Sequence, residues 1–261
     1  MGIRADSHVG FVNLDHRSDR LAHMRRQLDR VGLNAQRYPG VLPHERTEEK
    51  SVMHAMLKRK QVGALGCYLA QLDIIKDAQR LEKHAWVMED DIVFCEDFAK
   101  RIEYINHWTH NTGCARMFRD WDIIWLGGTF HVNPSYWHAD TLGRDAELTD
   151  DPRMIRTYGS FCTYAYIVNS WSIEKVLKLL DETISGSIGI DHSMIMISPE
   201  LKTFAFVPGC CKQYDNESDQ IPGSKIVTRF SKFETLGPYW YQEKMEDFDP
   251  LTFNWAEANI K

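Results

Sequence analysis

Val87-Met88-Glu89-Asp90-Asp91-Ile92-Val93-Phe94 begins as a short apolar run that ends in three consecutive carboxylates. Like charges this close repel, and burying them is costly unless something neutralises them. The simplest neutraliser is a hard divalent cation, bound through oxygen ligands and bridging to phosphate oxygens. With a strand over residues 85 to 89, alternation sends Glu89 and Asp91 to one side and Asp90 to the other. The triplet then reads as an acidic-x-acidic clamp at a strand's carboxyl end, where open α/β sheets place their ligands. The plainer reading is a solvated acidic turn.

Outward from this stretch, strands and helices alternate. Residues 8 to 14 read as a β-branched strand. A helix follows, with Leu21, Met24, Leu28 and Val31 at helical spacing and Gly32 suited to its carboxyl-terminal cap. A short strand over 35 to 38 and a helix over 47 to 57 precede the clearest helix, 64 to 80, whose apolar face carries Leu65, Tyr68, Leu69, Leu72 and Ile75. After the acidic strand come a helix over 98 to 108 and a buried strand, 123 to 126, closed by Gly127-Gly128. The segment from Thr129 to Pro152 has no period, and connections of that length are usually functional loops or disordered. Strands over 154 to 158 and 163 to 168, a helix after Ser170, a short helix over 190 to 197 and a strand over 202 to 207 complete the pattern. This order predicts an α/β fold with some antiparallel character in its second half.

At 261 residues, 43% hydrophobic and 26% charged, the composition is that of a globular chain with a sizeable core. The formal charge of −6 argues against a general nucleic-acid or membrane-surface binder. No apolar run approaches the roughly 20 residues needed to span a bilayer, and Met1 to Asp6 lacks the apolar core of a signal peptide. A cytoplasmic location is therefore expected. The six cysteines form no C-x-x-C pair and are expected to stay thiols.

Several other positions could carry chemistry. Arg17 and Arg20 lie at the start of the first helix, where cations oppose the helix dipole and a bound phosphate would compensate. The alternative is that Asp15 and Asp19 simply pair with them. Gly63-Ala64-Leu65-Gly66-Cys67 opens the strongest helix with small residues that permit close approach of backbone or ligand. Asp120-Trp121-Asp122 is a second acidic-x-acidic motif, but it precedes its strand and reads as structural. Asp191 sits at a loop-to-helix junction, as an N-cap or as an acid for chemistry. Gln213, Tyr214, Asp215, Glu217 and Asp219 form a polar segment that could close over a ligand. Trp125, Tyr136 and Trp137 are candidates for stacking on sugar or base rings, packing being the alternative.

Together these pieces resemble glycosyltransferase family 25, the lipooligosaccharide-biosynthesis and procollagen galactosyltransferase group. Val12 to Arg20 is similar to its opening strand and N-L-D-R-R-x-D-R box, with His16 in place of an arginine. Gly63 to Leu69 resembles its G-x-x-G-C motif, Glu89-Asp90-Asp91 its acidic triplet and Trp121 to Gly127 its W-D-I-I-Y-L-G strand. Tyr164 to Val168 and Asp191 fit a later strand and acid. The resemblance covers residues 8 to 220 and does not extend to the tail.

The resemblance implies a GT-A type fold, a Rossmann-like mixed sheet flanked by helices, over 8–220; residues 221–261, which it does not cover, are expected to pack on that domain as an extension. It implies a UDP-sugar donor, Mn²⁺ or Mg²⁺, and transfer of a hexose (galactose or glucose) with inversion. The acceptor would be a hydroxyl on a glycan or on hydroxylysine of a collagen-like chain. Donor binding would fall to Asn13, Leu14, Arg17, Arg20, Gly66, Glu89 and Asp90. The metal would be held by Asp91 with Glu89 and Gln213, and the acceptor by Trp125, Tyr136 and Trp137. Asp191 is the first choice for the base and Glu217 the second. Neither a nucleic-acid partner nor a membrane span is expected, and the aromatic tail either packs on the domain or mediates a homodimer. The rival readings are a nucleotide-sugar-binding scaffold and a nucleotide-sugar hydrolase.

Overall fold

The computed structural model describes residues 3–46, 62–110, 120–130, 151, 153–184, 186 and 189–213. The helix expected over 47 to 57, most of the segment from Thr129 to Pro152, Glu217 and the carboxyl-terminal extension lie outside the described residues.

The chain opens with β1 (Ser7–Asn13), α1 (Ser18–Val31) and β2 (Gln36–Pro39). Gly32 takes the left-handed conformation at φ 61° and ends α1: its N–H reaches Asp29 O, and that of Leu33 reaches Leu28 O. Next come α2 (Val62–Arg80), β3 (His84–Glu89), β4 (Ile92–Phe94) and α3 (Phe98–His110). The second half holds β5 (Ile123–Phe130), β6 (Met154–Thr157), β7 (Ser160–Val168), α4 (Ile173–Thr183), α5 (Ile190–Ile197), β8 (Thr203–Phe206) and β9 (Cys211–Gln213).

Seven strands form one mixed sheet in the order β2-β1-β3-β7-β5-β8-β6. β1 is parallel to both β2 and β3, and β7 is antiparallel to both β3 and β5. Because β2 lies on one side of β1 and β3 on the other, the winding reverses at the β1/β3 pair. The crevice outside the carboxyl ends of those two strands is where such sheets bind ligands. The register Val12↔Glu89 brings the Asn13 end of β1 beside the acidic triplet.

Alternation along β3 builds both layers of the core. Ala85 and Val87 join the apolar cluster with α2, α4 and α5, whereas Trp86 and Met88 join the one with α1 and α3. All four are fully buried, each large side chain contributing about 1.5–3 kcal/mol. Glu89 continues the Val87 face, toward α2.

One expectation is corrected. β5 does not close at Gly127-Gly128 but runs through them to Phe130, with register shifts against β7 on either side of Gly127. The glycine is needed there because a Cβ on Gly127 would lie 2.6 Å from Cys211 O. A second sheet, the β4–β9 ribbon, also had no counterpart in the sequence reading. It docks on the main sheet where Cys210 N–H donates to Leu126 O at 2.6 Å.

Candidate active site

The acidic triplet straddles a strand end. β3 stops at Glu89, and Asp90-Asp91 form the turn into β4. A turn does not keep the period of a strand, so the expected division of Glu89 and Asp91 from Asp90 does not hold. Asp90 and Asp91 instead share Arg20, whose Nη1 lies 2.9 Å from Asp90 Oδ1 and 3.2 Å from Asp91 Oδ2. Arg20 projects from the first turn of α1 and is buried. Burial works against its charge, but Asp91 and Asp90 outweigh that and hold its pKa above the ordinary value.

Asn13, at the end of β1, is 1% exposed and makes contacts through both ends of its amide. Its Nδ2 donates to Asp90 Oδ2 at 2.6 Å and to Arg17 O at 3.2 Å. Its Oδ1 accepts from Arg37 Nε at 2.9 Å, and its main-chain oxygen from Arg37 Nη2 at 3.1 Å. Arg37, on β2, also pairs with Asp15. The sequence reading missed Arg37; the signal was a basic residue on the strand neighbouring β1, one position before its Tyr38-Pro39 end.

Asp91 has a further partner across the ribbon: Gln213 Nε2 donates to its Oδ2 at 2.9 Å. The pairing Ile92↔Gln213 fixes that approach, so residues distant in sequence meet through β4 and β9.

Glu89 faces a different set. Its Oε1 accepts from Thr163 Oγ1 at 3.0 Å and from Gln71 Nε2 at 3.3 Å. Burial, reinforced by Asp91, Asp191 and Asp90, pushes the Glu89 pKa up to about 8 although the Thr163 bond pulls it down. Cys67 and Cys162 border the same carboxyls, and burial pushes both thiols up. Asp191 is half-buried in the first turn of α5, where its Oδ1 accepts from the His192 N–H at 2.8 Å. The N-cap of α5 is Gly189, so Asp191 is not the cap.

Asp91, Asp191 and Asp90 thus all bear on Glu89, while Arg20 pairs with Asp90 and Asp91. Among the described residues no three Asp, Glu, His or Cys side chains form a ready metal cage. The donors are nevertheless hard oxygens, and burial, with the neighbouring aspartates adding to it, favours the neutral form of Glu89 unless a cation is present. That set suits an ion such as Mn²⁺ or Mg²⁺, which takes one or two carboxylates and completes its shell with phosphate oxygens and water.

The sequence pattern of Glycosyltransferase family 25 (LPS biosynthesis protein) matches residues 7–194, which run from β1 into α5 and include the triplet. The chain belongs to glycosyltransferase family 25. It is similar to a "Glycosyltransferase 25 family member" of Anopheles gambiae, 29% identical over 199 residues, covering 71% of this chain and 31% of that protein. Proteins with the same description from Aedes aegypti and Drosophila pseudoobscura pseudoobscura are 26% and 24% identical. Those alignments cover 67% and 66% of this chain, and 28% and 27% of the relatives. The chain therefore spans less than a third of the length of these relatives.

Against this family 25 frame, the remaining expected site residues fall as follows. Leu14 packs over Gly40 at the crevice rim, where a Cβ on Gly40 would collide with it. Arg17 pairs with Asp19, its Nη2 2.9 Å from Asp19 Oδ2, as the charge-balanced reading of that junction held. The same reading fails for Arg20, whose acids come from the β3–β4 turn. At Gly66 the close neighbour is protein backbone: a Cβ there would run into the carbonyl oxygen of Val41.

Trp125 is not an acceptor platform. It is fully buried in β5 and packs on Tyr166 with ring centroids 5.1 Å apart, because alternation turns it into the α2-side core. Tyr136 and Trp137 lie outside the described residues. Asp120-Trp121-Asp122 is structural, as expected: Asp122 accepts from Ser172 Oγ and from the Lys202 N–H, and Lys202 Nζ pairs with Asp120 at 2.9 Å. Among the described residues no helix is long and apolar enough to cross a membrane.

Proposed function

We propose that this family 25 chain transfers a hexose, galactose or glucose, from a UDP-sugar to a hydroxyl acceptor with inversion at the anomeric carbon. The acceptor class is a glycan or the hydroxylysine of a collagen-like chain. The observation that carries this reading is the Asn13–Asp90–Arg20–Asp91–Gln213 chain of contacts at the β1/β3 crevice. It fixes two carboxylates in place at the position where a mixed α/β sheet binds nucleotides.

Asp91, with Glu89 and Gln213, would hold Mn²⁺ or Mg²⁺, which when bound stabilises the charge of the departing diphosphate. Arg20 holds Asp90 and Asp91 in place before any ligand arrives, so little reorganisation is left for the reaction. Asn13 aims Asp90, and Arg37 aims Asn13. Inverting displacement needs a base on the face opposite the leaving group. Asp191 takes that role: the His192 N–H holds Oδ1, and Oδ2 accepts the proton of the acceptor hydroxyl.

Purified chain incubated with labelled UDP-galactose or UDP-glucose, Mn²⁺ and a panel of hydroxyl acceptors tests the proposal. Acceptor-stimulated release of UDP with a glycosylated product is the expected result. Donor binding without turnover would instead support a nucleotide-sugar scaffold, and donor loss indifferent to acceptor would support a hydrolase.

A further inference from the structure

Gln71 is the one fully buried polar side chain that the middle of α2 carries among its described residues, in a layer otherwise built from Leu, Ile, Ala and Tyr. An uncompensated amide there would be costly, and this one is compensated in a directed way. Tyr166 Oη donates to Gln71 Oε1 at 2.9 Å. The amide nitrogen is thereby turned toward Glu89 Oε1 at 3.3 Å and Thr163 Oγ1 at 3.2 Å. Thr163 itself donates to Glu89 Oε1 at 3.0 Å. Both donors end on the same carboxyl oxygen, and Glu89 Oε2 takes no hydrogen bond among the described residues.

We infer that Gln71, locked by Tyr166, is a positioning residue that clamps Glu89 Oε1 and so presents Oε2 to a cation–nucleoside diphosphate in the crevice. This rests on the proposed site. It adds that the site is supported from inside the core by a helix residue outside the acidic triplet and the crevice-rim loops. Outer-shell partners of this kind typically set affinity by 10–100-fold. Gln71 differs from a packing residue in that its effect must pass through Glu89.

Calorimetric titration of UDP in the presence of Mn²⁺ provides the test, since it reads binding without turnover. Gln71→Met keeps an unbranched side chain of similar volume and removes the donor; it should weaken Mn²⁺-dependent UDP binding about tenfold. Tyr166→Phe, which removes only the lock, should weaken it in the same direction by less. In a Glu89→Gln background, Gln71→Met should add no further loss. Equal affinity in wild type and Gln71→Met, or full additivity with Glu89→Gln, would overturn the positioning role while leaving the site itself standing. Wild type that fails to bind UDP with Mn²⁺ would overturn the proposed site and this inference together. Thermal unfolding of each variant identifies any that does not fold; Tyr166→Phe then carries the test alone, with unchanged affinity counting against the role.

Discussion

Asn13 and Asp90 are 77 positions apart in the chain, and the amide nitrogen of one lies 2.6 Å from a carboxylate oxygen of the other. Both are buried, so this contact ties the end of β1 to the turn after β3 at the point where the sheet's winding reverses. Asn13→Leu removes the donor and leaves an acceptor facing an apolar group. Chemical denaturation should show a loss of about 1.5–3 kcal/mol, with a matching fall in nucleotide affinity.

Arg20→Met leaves Asp90 and Asp91 buried without their shared cation. Taking one partner from a buried pair costs roughly 3–5 kcal/mol at neutral pH. Denaturant midpoints should show the deficit.

Glu89 makes stability pH-dependent in a direction opposite to that of a salt-bridged acid. Its folded pKa of about 8 stands above its ordinary value of 4.5. Between those values the folded state holds a proton the unfolded state has lost. The stabilisation is thus fully present below about 4.5 and is lost as pH rises through about 8. The slope for one group is at most about 1.4 kcal/mol per pH unit. Thermal melts across that window should flatten in Glu89→Gln, and an unchanged slope would remove Glu89 as its source.

Asp191→Asn should separate binding from turnover. Donor affinity by calorimetry should stay within twofold of wild type, while transfer falls by about 10²–10⁴-fold, the usual worth of a positioned base. Loss of donor affinity to the same degree would make Asp191 a binding residue.

Gly66→Ala tests a purely steric requirement. The added methyl meets the carbonyl oxygen of Val41, a backbone atom that cannot rotate away. Overpacking of this kind costs about 1–3 kcal/mol, to be read from equilibrium unfolding, and it should act on stability first and on activity only through the position of α2.

Much of the fold was legible in the sequence. Strand and helix order followed from apolar periodicity, and β1, α1, α2, β3 and α5 lie within a residue or two of expectation. What could not be read was contact between distant residues. Arg20 lies one position from Asp19, and local charge balance made that the natural partner; its actual acids arrive from the β3–β4 turn. β4 and β9 are three residues each, too short for any period to register. Trp125 went astray because an aromatic ring on a strand looks the same in sequence whether it faces a core or a ligand.

The short β4–β9 ribbon gives the chain beyond Gln213 a fixed point of departure, at the mouth of the crevice. Cleaving or shortening the polypeptide ahead of 211 would leave all seven strands of the main sheet intact, yet strip Asp91 of its amide partner. A truncated product would therefore keep the strands of its main sheet and lose a support of the proposed site, so boundaries for expression are best drawn well past β9.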